Sequence, residues 1–149
     1  MNWVDPLGLE VSIRSRTVRN SLDQGAHTWT QVDDSKGKTT YSGTNEDGKL
    51  GVKENLDRDF NPSEDNPETS KTVVPPPPGM NQEQWDKSVR ESAEREKKKD
   101  KKRKYKRLCG DGGITSGNCH SVTSNIIEGA GGKVPKDYNP PGWSPGLRQ

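Results

Sequence analysis

The stretch GAHTWTQVDDSKGKTTYSGT, residues 25–44, decides the fold class. Residues 26–32 are rich in β-branched and aromatic side chains, which suit a half-buried pleated surface. DDSKGK follows as a turn, with Gly37 able to take a positive φ. TTYSG then reads as the returning strand, so residues 26–43 form a hairpin. Upstream, LEVSIRSRTV alternates apolar Leu9, Val11 and Ile13 with polar residues, the period-two pattern of a strand. Downstream, EDGK is a second turn and LGVKENL a short third strand.

Beyond this sheet the pattern changes. Residues 57–79 carry two Asn-Pro pairs and four consecutive prolines, which oppose helix and discourage strand. An irregular, partly polyproline connection is expected there. A helix is expected to begin after Asn81, with Gln84 completing a capping box. Trp85, Val89 and Ala93 make its thin apolar stripe, and a basic segment continues the helix to residue 107. The second helix is CHSVTSNIIEGAGG, capped by Ser116 or Asn118 and ended by Gly129 to Gly132. Its buried face is Val122, Ile126, Ile127 and Ala130, and Trp143 in the irregular tail is expected to pack on the body. Sheet plus two main helices give an α+β domain.

Composition sets the limits. The chain has 149 residues, 24% of them hydrophobic, and its 16 glycines still leave it below the globular norm of roughly 45–50%. The core must be small and much of the length must be loop. No run of about 18 apolar residues is present, so no membrane span is expected. The first ten residues lack the basic and apolar regions of a signal peptide. No Cys/His spacing suits zinc, and neither a metal nor a cofactor is expected. Residues 97–107 are all Lys or Arg except Asp100 and Tyr105. A solvated helix end explains this run better than a nucleic-acid contact, because no base-reading motif or aromatic interleaving accompanies it.

Two cysteines and two histidines bound the nucleophilic chemistry. Cys119 stands at a helix start, where unpaired amides and the helix dipole favour a thiolate. The same amides suit a developing oxyanion, with Asn118 and His120 flanking the site. The competing reading is a small buried cysteine in a core helix. Cys109, on a glycine-rich loop, lacks a helix of its own, and a Cys109–Cys119 disulfide is sterically open. A thiolate needs a histidine base. His120 is adjacent in sequence, and helix neighbours face different directions. His27, at the start of a strand and 92 residues upstream of Cys119, is the better partner.

Two stretches resemble known families. MNWVDPLGLE resembles the junction that closes the repeat shell of bacterial Rhs/YD-repeat polymorphic toxins, with Trp3, Asp5, Pro6, Gly8 and Leu9 all fitting. That resemblance implies residues 1–9 as the end of the shell and 10–149 as a C-terminal toxin domain, secreted within a larger protein. GAHTWTQVDDSKGKTTYSGT with YKRLCGDGGITSGNCHSVTSNIIEGAGG is similar to the circularly permuted branch of NlpC/P60, papain-like hydrolases. His27 matches that family's histidine, Asn118–Cys119 its NC dipeptide and Ala130–Gly131 the pair closing its helix. The family adds a third polar group on the strand after the histidine, where this chain offers Thr39, Thr40, Tyr41 and Ser42, with Thr39 and Tyr41 the candidates.

Together these resemblances imply an antibacterial Cys-His hydrolase whose preferred substrate is the peptide stems of peptidoglycan, in the periplasm or cell wall. They also imply a cognate immunity protein as partner, beside the parent shell. A lipid- or protein-directed acyl enzyme on the same residues, or a cytoplasmic nucleic-acid-targeting toxin using the basic segment, are the rival readings.

Overall fold

The computed structural model describes residues 8–20, 23–65, 67–99, 104–105, 116–117 and 119–138. An antiparallel meander comes first: β1 (Glu10–Asn20), β2 (Asp23–Asp34), β3 (Gly37–Glu46) and β4 (Lys49–Glu54). A one-turn helix, α1 (Asp57–Phe60), and a strand, β5 (Ser70–Val73), follow. Then come α2 (Gln82–Lys97), the two-residue strands β6 (Lys104–Tyr105) and β7 (Ser116–Gly117), and α3 (Cys119–Gly129). The strand order is β5-β1-β2-β3-β4-β6-β7. The main body is thus a five-stranded antiparallel sheet, extended beyond β4 by the two short strands. The α+β class expected from the pattern is the one observed.

The two strands run wider than residues 26–43, from Asp23 to Glu46, although they pair with each other only near the turn, and His27 lies inside the first strand rather than at its start. Gly37 takes φ 104° at its turn. The next turn places Asp47 and Gly48 at φ 55° and 83°, the double positive φ that matches strand twist in a two-residue hairpin loop.

Two expectations need correction. Residues 57–79 contain α1 and β5. Proline bounds these elements instead of excluding them: α1 stops before Asn61–Pro62, and β5 fits the proline-free gap between Pro67 and Pro75, where β1 offers an edge. The basic segment does not continue helical to residue 107. α2 ends at Lys97, and Lys104–Tyr105 is a strand paired with β4. The apolar stripe stops at Ala93, and like charges stacked at i,i+4 oppose further turns.

Asn81 caps α2 as its sequence suggests. Its Oδ1 accepts from the Gln84 backbone N–H at 2.8 Å, and Gln84 Oε1 accepts from the Asn81 N–H at 2.9 Å. Trp85, Val89 and Ala93 of α2 and Val122, Ile126 and Ile127 of α3 are fully buried against Val11, Ile13, Val32, Tyr41 and Leu50 of the sheet. Polar ties lock the helices together, with Ser92 donating to the Ile126 carbonyl at 2.7 Å and Ser88 to the Ala130 carbonyl at 2.8 Å. No helix among the described residues is long and apolar enough to cross a membrane.

Strand alternation gives the sheet two different faces. Val11, Ile13 and Ser15 of β1 and Thr28, Thr30 and Val32 of β2 face α2 and α3. The opposite face carries Arg14, Arg16, His27, Trp29 and Gln31, with α1 against it. The sheet also forks. β2 and β3 pair only over Thr30–Asp34 and Gly37–Tyr41. From there β2 continues with β1 and β3 with β4, while α3 contacts both arms.

Candidate functional site at the fork of the sheet

His27 lies on the β2 arm of the fork. Its Nε2 is 3.0 Å from Asp59 Oδ1 and 3.2 Å from Oδ2. Asp59 sits in α1 and is 1% exposed, yet it carries a second ion pair, to Arg16 Nη1. Burial pushes the Asp59 carboxyl up, but the hydrogen bond and charge of His27, followed by the Ser42 hydroxyl and Arg16, outweigh burial and hold it below the ordinary range. An ionised carboxylate only accepts, so the His27 proton on this side must be on Nε2. In the neutral ring Nδ1 is then the basic nitrogen.

Trp29, fully buried, stacks on His27 with ring centroids 6.0 Å apart and planes at 28°. The Arg16 guanidinium lies 5.8 Å from the Trp29 ring centroid. His27 is thus held by a charge at one ring edge and an aromatic face beside it, while its side chain keeps 11% exposure.

The second histidine closes the other side of β2. His120 Nδ1 is 3.1 Å from Thr28 Oγ1, which is also 3.4 Å from Thr123 Oγ1. All three residues are buried. The residue after His27 is therefore tied to the residue after Cys119, across 92 positions. Cys119 opens α3, whose first-turn amides have no acceptor within the helix. The side chain of Cys119, and the whole of Asn118, Cys109 and Trp143, lie outside the described residues, as does most of the basic segment.

The candidates for the third group are not at His27. Thr39 accepts from Arg90 Nη1 at 2.6 Å, and Tyr41 is buried in the apolar core. Both are on the helix-covered face, paired with Val32 and Thr30, whereas period-two alternation turns His27 to the opposite face. Sequence reasoning missed Asp59, Arg16 and Trp29 as the shell of His27. Nothing in spacing separates Asp59 from the other 21 of the chain's 22 acidic residues, and only the fold brings it there.

No three or more His, Cys, Asp or Glu among the described residues are grouped to hold a metal ion. A surface depression of about 1040 Å³ lies between Lys71–Pro75 and Gly132–Asp137, and neither histidine lines it. Its described lining holds neither a cysteine nor a histidine, so the candidate site is the fork. Comparison with protein families, with curated proteins and with solved structures finds no match.

Proposed function

We propose that this protein is a cysteine hydrolase toxin that cleaves amide bonds, with the peptide stems of peptidoglycan as its substrate. The observation that carries the reading is the Thr28–His120 contact, which brings the backbone beside His27 to the backbone beside Cys119. The resemblances to an Rhs shell junction and to permuted NlpC/P60 hydrolases support the toxin and amide-cleaving parts of it.

In this mechanism the Cys119 thiol, at the start of α3 where the two arms of the sheet part, reaches through that opening to the far face of β2. It gives its proton to His27 Nδ1, and the thiolate adds to the amide carbonyl carbon. Backbone N–H groups of Cys119 and His120 donate to the oxyanion. The C–N bond breaks as His27 returns the proton to the leaving amine, giving a thioester and a free amine. Water then adds to the thioester, His27 takes its proton, and collapse releases the carboxylic acid and restores the thiol.

The test is induction in a bacterial host with the protein kept in the cytosol or sent to the periplasm, beside digestion of purified peptidoglycan sacculi. Killing only from the periplasm, new amino groups released from sacculi, and loss of both in Cys119→Ala and His27→Ala are expected. A Cys119→Ala protein that still kills sinks the reading.

A further inference from the structure

We propose that Asp59, presented by α1 and clamped by Arg16, is the positioning residue that orients His27. The inference rests on the hydrolase reading and supplies the third group that the strand after the histidine does not.

The geometry is specific on three counts. The carboxylate faces one ring nitrogen only, with Nε2 at 3.0 and 3.2 Å from its two oxygens. That contact favours the tautomer with its proton on Nε2, and in the proposed reaction Nδ1 is the nitrogen that exchanges the thiol proton. Arg16, itself 4% exposed, engages Oδ1 and packs over Trp29, so the carboxylate cannot turn away without stranding a buried cation.

The platform beneath Asp59 is also fixed. Asn55 takes φ 54° at the end of β4 and extends the ladder onto Thr40. Its N–H donates to the Thr40 carbonyl at 2.8 Å, and its Oδ1 accepts from the Thr40 N–H at 2.9 Å. Lys38 donates to the Phe60 carbonyl at 2.6 Å and lies 4.4 Å from the Phe60 ring centroid. These contacts anchor the chain on both sides of Asp59, at Asn55 and at Phe60. A charge placed this way does more than fill space. It stabilises the imidazolium that forms each time His27 accepts the thiol proton.

The experiment needs a readout that a merely structural contact would not move. Iodoacetamide alkylation of Cys119 across pH, in a Cys109→Ser background, reports the fraction of thiolate supported by His27. Asp59→Asn is expected to slow alkylation at pH 6 and shift its pH profile towards that of an unassisted thiol. Digestion of sacculi should fall about ten-fold or more with KM little changed. Arg16→Gln/Asp59→Asn removes both charges, leaves no buried ion unpaired, and should show the same shifted profile while remaining folded. Nitrogen-15 imidazole spectra of the unsubstituted protein should show His27 protonated at Nε2 when neutral.

An Nδ1-protonated neutral ring overturns the proposal, and so does a folded double variant whose alkylation profile is unchanged. The hydrolase reading fails on a different result, a Cys119→Ala protein that still digests sacculi.

Discussion

The Thr28 hydroxyl sits under α3 with His120 Nδ1 at 3.1 Å and Thr123 Oγ1 at 3.4 Å, and it is fully buried. Valine has the same shape without the hydroxyl, so Thr28→Val leaves this polar contact unmade in the interior. The expected cost is about 1–2 kcal/mol, read as a lower urea midpoint with an unchanged slope. Iodoacetamide alkylation of Cys119 should slow in the same variant, because the first turn of α3 loses its tie to β2. At this scale the sequence made His27 and Cys119 legible by residue type, since few histidines and thiols compete. Asp59 was not legible. Its pairing depends on a turn 32 positions away folding back over the sheet, and one carboxylate among many carries no spacing signal.

Among the elements, α2 and α3 are joined by a close approach that tolerates no extra carbon. A Cβ on Gly132 would lie 2.3 Å from Trp85 Cη2. Trp85 cannot give way, because it is fully buried and its Nε1 donates to the Val74 carbonyl at 2.9 Å. Gly132→Ala should therefore destabilise by about 1–3 kcal/mol, visible as a lower thermal midpoint. A retained midpoint would mean that the turn after α3 can shift. The start of α2 and the inner face of α3 were legible because capping chemistry and helical period both mark them. α1 and β5 were not, since four residues complete neither a period nor a cap pattern. The end of α2 was misread because a run of lysines has good helix propensity but nothing to bury.

At the scale of the whole molecule, three carboxyls among the described residues shape the response to pH. Asp34 is half-buried, which raises its carboxyl, but the guanidinium of Arg90 at 2.6 Å more than offsets that and lowers it. Asp59 is lowered in the same sense. Both contribute stability that is present above the unfolded value of 3.8 and is lost as pH falls through their folded values. Asp86 behaves oppositely. Burial raises it from 3.8 to about 6 despite the hydrogen bond from Gln82, so the folded state binds the extra proton across that interval. Stability from this group is full below 3.8, declines as pH rises to about 6, and stays low above. Asp86→Asn should raise the urea midpoint at pH 7.5 and leave it nearly unchanged at pH 4. An equal gain at both values would assign the effect to packing instead.

The fork in the sheet also dictates an order of assembly. β1 to β4 pair as consecutive hairpins, and the turn bearing Asp59 follows directly, so the histidine half of the site closes only short loops. The helix that begins with Cys119 must reach the same place from 92 positions away, at a larger loop-closure cost. A chain folding from the unfolded state therefore has His27 and Asp59 in place on the sheet before α3 docks across them, so the two halves of the fork are joined by the last element to close.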